Sequence, residues 1–286
     1  MSVSLIQVDV FSAELLGGNP LAVFVNPPED LPTSRFQAWA REMNLSETSF
    51  VWVDDAHHYH SRIFTPTHEL PFAGHPTLGT VAALAARGLV ESPVMQTTAA
   101  GAVECTRDES GMWWMTPPPG QLGEAVPAAA AAEALGVAPE SIREEHPPRV
   151  VAAGLAHLLV NVEASAVARL APSFTRMQTV LDGLEGSVGG LYAWAFSAPG
   201  LIHARMFAPG HGVNEDAATG SAAADLGWFL VRGAGVTDPG HFVIRQGLEI
   251  GRPSELHLRL RVGGVPVAVG GRVVPVFEAA VSHFGS

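Results

Sequence analysis

Three short stretches place acid/base-capable side chains beside glycine or small residues: NLSETSF around Glu47, LPFAGHPTLGT around His75, and NEDAATGSAA around Asp216. A carboxyl half buried among apolar neighbours, as Glu47 would be in ETSFVWV, has its pKa raised. That suits a group that takes and returns a proton near neutral pH. Read alone, however, Glu47 is better taken as a capping or solvated loop carboxylate. His75 stands between Gly74 and Pro76 at a helix start. A neutral imidazole there can donate or accept, and the positive helix end disfavours its protonation. A histidine making one structural hydrogen bond fits those residues equally well. Asp216 ahead of a helix is an ordinary N-terminal device, with Thr219 or Ser221 available as a cap. Its company asks for more: Gly220 lets backbone approach a ligand closely, and the other stretch carries His75 in the corresponding place.

The elements that must position these groups follow from pattern. VSLIQVDVF (3–11) alternates as a strand, and Gly17, Gly18 and Pro20 turn it into a second strand at 21–25. Residues 33–43 carry an apolar stripe of Phe36, Trp39, Ala40 and Met43, so a helix is expected there, capped by Thr33 or Ser34. Strands are expected at 48–53 and over HYHSRIF. A helix should run from Pro76 to Arg87 and stop at Gly88. Short strands follow near 94–98, 102–106 and 112–116, and TPPPGQLGEAVP (116–127) reads as an interdomain linker. The second half reads as helix 128–135, strands 149–153 and 156–162, helix 172–183, hairpin 190–207, the ATGSAA helix, and strands 241–245, 256–262 and 266–276.

The halves echo each other. Arg62-Ile-Phe64-Thr-Pro66 precedes a helix ending at Arg87-Gly88, and Arg205-Met-Phe207-Ala-Pro209 precedes one ending at Arg232-Gly233. This reads as an internal duplication. Two similar domains would aim two helix N-termini, each with unpaired N–H groups and about half a positive charge, at one cleft. A carboxylate held there would need no arginine.

Composition narrows the rest. The 286 residues are 47% hydrophobic and 15% charged, the mark of a globular chain. A net charge of -12 without a basic cluster argues against nucleic-acid and anionic-membrane partners. The single cysteine, Cys105, excludes an intramolecular disulfide and a cysteine zinc cluster. His57, His58 and His60 lack the further ligand that a zinc spacing requires, so no metal is expected. Trp113 and Trp114 read as strand packing. The N-terminus lacks a basic n-region and a continuous apolar run, so no signal peptide and a cytoplasmic protein are expected.

The blocks GGNPLAV, NLSETSFV, RIFTPTHELPFAGHPTLGT, NEDAATGSAAADLG and QGLEIGRPS, in this order from residue 17 to 254, resemble the phenazine biosynthesis PhzF-like family. The resemblance implies an α+β, diaminopimelate-epimerase-like fold of two similar domains, each an antiparallel β-barrel-like sheet around a central helix. The domains are expected at 1–120 and 128–276, with the tail at 277–286 crossing back to the first and the active site in the cleft between them. It implies a homodimer, a small-molecule carboxylate substrate, and isomerisation without cofactor or metal, of the kind undergone by trans-2,3-dihydro-3-hydroxyanthranilate. By the same resemblance Glu47 is the acid/base, and His75 and Asp216 hold the substrate and assist the proton shift. Asn19, Gly74, Thr219, Gly220 and Ser221 become substrate-binding positions. Ala217 departs from the family, which usually has proline there. A one-base epimerase or racemase of an amino-acid derivative, or a ligand-binding protein without catalysis, are the alternatives. Two-thiol epimerisation is excluded, because there is one cysteine.

Overall fold

The computed structural model describes residues 2–236, 240–260 and 267–285. The chain divides into two units, residues 1–116 with 270–286, and residues 117–269. In the first unit the order is β1 (Val3–Val10), β2 (Asn19–Val25), α1 (Thr33–Met43), β3 (Glu47–Asp55), β4 (His58–Phe64), β5 (Glu69–Leu70), α2 (Gly74–Ala86), β6 (Val94–Thr98), β7 (Gly101–Arg107) and β8 (Trp113–Met115). The second contains β9 (Gln121–Ala125), α3 (Ala128–Leu135), β10 (Arg149–Ala153), β11 (Leu155–Asn161), α4 (Ala164–Val167), α5 (Phe174–Asp182), β12 (Val188–Ala198), β13 (Leu201–Ala208), β14 (Val213–Asp216), α6 (Gly220–Arg232), β15 (Gly240–Gln246) and β16 (Ser254–Leu260). The chain leaves it along β17 (Ala268–Gly271) and ends with β18 (Val273–Val281), which pairs with β1.

The two units repeat one pairing order. In the first, β1–β2 is antiparallel, β2–β3 parallel, β3–β4 antiparallel, β4–β6 parallel and β6–β7 antiparallel. In the second, β10–β11, β11–β12, β12–β13, β13–β15 and β15–β16 repeat that alternation. The duplication seen in the sequence is therefore a duplication of topology. The sheets include parallel pairs where antiparallel, barrel-like ones were expected. The reason is that α1 joins β2 to β3, α2 joins β4 to β6, and a parallel pair needs such a crossover.

Each sheet has a helix on either face. The outer face of the first packs Phe24, Phe50 and Phe64 against Phe36 of α1 and Phe284 near the C-terminus. Burying each such ring is worth about 1.5–3 kcal/mol. The inner face is covered by α2, buried at ten of its thirteen residues, as α6 is at eleven of thirteen in the second unit. Helices apolar on all sides are buried ones, and these two are the central helices.

Several boundaries differ from expectation. Pro20 lies inside β2, opposite Asp9. Pro32, not Thr33 or Ser34, occupies the cap of α1, and no side chain caps it. Helix α2 starts at Gly74 rather than Pro76, which brings His75 into its first turn. The segment 116–127 is not a simple linker: after Pro117–Pro119 it forms β9, which pairs with β10. The strand expected at 266–276 is two strands, β17 and β18, and positions 261–262 and 266 lie outside the described residues.

Candidate active site

Glu47, His75 and Asn19 meet in the first unit. Gly18 turns the chain into β2 at φ +64, and a Cβ there would sit 2.3 Å from the Val10 carbonyl oxygen. Only glycine allows this approach. The loop before it is tied back by Asp9, whose Oδ2 accepts from the Leu16 amide at 2.7 Å. Asn19 consequently begins β2 fully buried. Glu47 begins β3, level with Leu21 across the parallel pair. His75 is the second residue of α2. Its Nδ1 lies 3.3 Å from Asn19 Nδ2 and 3.3 Å from Glu47 Oε2.

Burial pushes the His75 imidazole down to about 3, against a small raising effect of the Pro20 carbonyl. The ring is neutral at physiological pH, so its contact with Glu47 is not an ion pair. Its Nδ1 is flanked by one group that can only donate, the Asn19 amide, and by a carboxyl that accepts when ionised and donates when protonated. Bare Nδ1 can accept from the Asn19 amide or from a Glu47 carboxylic acid, whereas an Nδ1–H would face the Asn19 donor.

The second unit assembles Asp216, Thr219 and a residue not singled out by sequence, Gln246. Thr219 Oγ1 donates to Asp216 Oδ2 at 2.6 Å, and Gln246 Nε2 donates to Thr219 Oγ1 at 3.0 Å and to the Asp216 carbonyl at 2.9 Å. Thr219 thus sits at the helix cap but orients Asp216 instead of capping. Gln246 reaches in because Gly247, at φ +74, lies where a Cβ would meet the Ala217 carbonyl at 2.6 Å. These bonds hold the Asp216 turn in spite of Ala217. Gly220 and Ser221, both buried, open α6 as Gly74 and His75 open α2. The first N–H groups of both helices have no acceptor within the helix.

The repeated arginines prove structural. Arg62 binds both carboxylate oxygens of Glu69 at 2.7 Å and stacks over Phe64, and Arg205 binds both of Glu215 at 2.8 and 2.7 Å and stacks over Phe207. Each clamps the short strand that delivers the chain to a central helix. Cys105 is buried on β7, its thiol pushed up to about 12 by burial, and is no nucleophile. His58 and His60 both lie against Asp54, and among the described residues no three His, Cys, Asp or Glu side chains are grouped to hold a metal ion. Trp113 and Trp114 are buried on β8. No helix among the described residues is long and apolar enough to cross a membrane.

The fold is α+β, of the diaminopimelate-epimerase-like class. Residues 8–279 match the phenazine biosynthesis-like protein family, PhzC-PhzF, and the chain belongs to it. It is 38% identical to an uncharacterized isomerase of Mesorhizobium japonicum, over 94% of this chain and 95% of that one. It is 36% identical to the trans-2,3-dihydro-3-hydroxyanthranilate isomerase of Pseudomonas aeruginosa, over 92% of each. A Bacillus anthracis phenazine biosynthesis protein of the PhzF family shares its fold, with a TM-score of 0.85 and 22% identity over 98% of this chain and 99% of that one. The protein is an isomerase.

Proposed function

We propose that the protein moves a proton within a small cyclic carboxylate resembling trans-2,3-dihydro-3-hydroxyanthranilate, with Glu47 as the group that carries it. The observation that supports this is the Glu47 carboxylate 3.3 Å from a buried, neutral His75. In the proposed reaction the Glu47 carboxylate takes a carbon-bound proton, and the electron pair left behind spreads through the adjacent double bond. The Glu47 carboxylic acid then returns the proton to a different carbon. Atoms and charge balance without a co-reactant. His75 serves Glu47 by accepting at Nδ1 from its carboxylic acid form. Asp216, Thr219, Gly220 and Ser221, with Asn19 and Gly74, are assigned to holding the substrate, whose carboxylate suits amide groups at a helix start.

The test is turnover of trans-2,3-dihydro-3-hydroxyanthranilate in deuterium oxide by wild type and Glu47→Gln. General acid–base groups contribute about 10²–10⁴-fold, so kcat/KM should fall by roughly 10³-fold in the variant while substrate still binds. Equal activity in the two proteins would remove Glu47 from the mechanism. Deuterium at a stereocentre with the double bond unmoved would replace isomerisation by one-base epimerisation.

A further inference from the structure

The inner face of the second sheet carries polar groups that the reaction above does not use. Register places Leu159, Tyr192, Met206 and Asp216 in one row across β11, β12, β13 and β14, and residues so paired share a face. His157 lies two residues before Leu159 and so shares that face too. Asp225, on α6, reaches down to it: Asp225 Oδ2 is 2.7 Å from His157 Nδ1, and Asp225 Oδ1 accepts from the Ala153 amide at 2.6 Å. His157, Tyr192 and Asp225 are all wholly buried. Two of their atoms, His157 Nε2 and Tyr192 Oη, have no hydrogen-bond partner among the described residues. Buried polar atoms are normally satisfied, so two together on one face call for an explanation.

We propose that His157, braced by Asp225 and assisted by Tyr192, is a positioning residue for Asp216 that sets the acidity of its carboxyl group. The proposal rests on the assignment of Asp216 to the substrate site. The Asp216 charge acts on both His157 and Tyr192. Burial pushes His157 down to about 4 and Asp225 up, so the pair carries no net charge. With the proton of their shared hydrogen bond on Asp225, His157 Nδ1 accepts and its ring hydrogen is on Nε2. Nε2–H and the Tyr192 hydroxyl are then two donors in the field of the Asp216 carboxylate, and they favour its ionised form. The other titratable groups around this face are accounted for. Arg149 of β10, opposite Leu159, stands on this face at the far end of the row from Asp216 and donates to the Gly123 carbonyl. Arg205 with Glu215 and His203 with Glu249 lie on the opposite face, as do Glu255, His257 and Arg259 of β16, while His146 stacks on Trp194 and meets Phe229 edge-on.

The test needs no substrate. The full-length protein is labelled with carboxyl-¹³C aspartate and ring-¹⁵N histidine, and Asp216 and His157 are assigned from Asp216→Asn and His157→Gln. Asp225→Leu should raise the Asp216 midpoint by about one pH unit, a tenfold loss of acidity. Asp225→Asn, whose amide still donates to Nδ1 and keeps the Nε2–H ring, should stay within about 0.3 units of wild type. Asp216→Asn should in turn shift the His157 ring resonances. An unchanged Asp216 midpoint in folded Asp225→Leu would overturn the proposal, as would His157 resonances indifferent to Asp216→Asn. The second measurement decides alone if Asp225→Leu fails to fold. A wild type unable to turn over trans-2,3-dihydro-3-hydroxyanthranilate would instead count against the proposed function and leave these titrations intact.

Discussion

The same two positions are filled in opposite ways in the two halves. Arg62 pairs with Phe50 and Phe50 with Phe24, as Arg205 pairs with Ala193 and Ala193 with Val160. Three residues back along those parallel strands stand Leu21 in the first half and His157 in the second. The sixth residue of the central helix is Gly79 in the first and Asp225 in the second. Leu21 packs onto Gly79 so closely that an added Cβ would lie 2.6 Å from its Cδ2, while His157 and Asp225 meet through a 2.7 Å hydrogen bond. One topology thus tolerates a leucine on a bare helix or a buried polar pair. At the helix mouth the polarity reverses, with His75 in the first half and Ser221 in the second. Each half keeps one buried histidine near its central helix, at the mouth in one and a turn deeper in the other.

Importing one member of the second half's pair is the most severe way to break this comparison. Gly79→Asp would press a carboxylate against Leu21 and Val10, leaving it buried without a donor. Overpacking and an uncompensated charge together should cost about 4 kcal/mol in denaturant unfolding. Adding Leu21→His should recover about 1–2 kcal/mol, because it removes the Leu21 clash and supplies the partner, while the Val10 contact remains. A double variant no more stable than Gly79→Asp would show that the positions are not interchangeable.

Acidity separates the halves by sign. His75 titrates near 3 when folded and 6.5 when unfolded, so between those values the unfolded chain holds the extra proton. Its contribution is complete above 6.5 and is lost as pH falls towards 3. The His157–Asp225 pair behaves differently. Below 6.5 the unfolded chain has a protonated histidine and an ionised aspartate, and the folded pair holds the same number of protons on a neutral ring and a carboxylic acid. Down to about 4, the pair therefore adds almost no pH dependence. Above 6.5 the unfolded histidine is neutral, and because burial raises the Asp225 carboxyl in the fold, stability falls as pH rises towards its folded value. His75→Gln should flatten the acid limb of stability between pH 6.5 and 4, and Asp225→Asn the limb above 6.5, each by up to about 1.4 kcal/mol per pH unit. Equal effects of both variants on one limb would refute this assignment of signs.

Much of this frame could be read from the sequence. Helices 33–43 and 128–135 emerge at their observed limits, because an apolar stripe marks the first and Pro127 and Gly136 bracket the second. β9 and β14 were missed since five and four residues among glycine, proline and charge carry no usable alternation. At the site, Glu47 resembles any loop carboxylate until β2 and α2 bring Asn19 and His75 to it. His157 and Asp225 did leave a signal, as a lone histidine in LAHLLVN and a lone aspartate in SAAADLGW. Their partnership was hidden because 68 residues separate them. Gln246 opens QGLEIGRPS, yet its role depends on Gly247 turning it towards Asp216, which depends on backbone conformation.

The mildest change concerns how the second half orients its carboxylate without a histidine at the helix mouth. Thr219→Val keeps the shape of the side chain and removes the hydroxyl that donates to Asp216 Oδ2 at 2.6 Å. It also leaves Gln246 Nε2 with the Asp216 carbonyl but without Thr219 Oγ1. A lost hydrogen bond to a carboxylate costs about 1.5–3 kcal/mol when nothing replaces it. The partial exposure of this loop lowers the expected cost in stability to about 1 kcal/mol. If Thr219 only supports the turn, Thr219→Ser should restore stability and nothing else should move. If the hydroxyl orients Asp216 towards substrate, Thr219→Val should raise KM about tenfold with kcat less affected, and Thr219→Ser should restore KM. An unchanged KM in Thr219→Val would confine the hydroxyl to holding the turn. In that case the comparison reduces to one half with a polar mouth and one whose polarity lies a helical turn deeper, at His157 and Asp225.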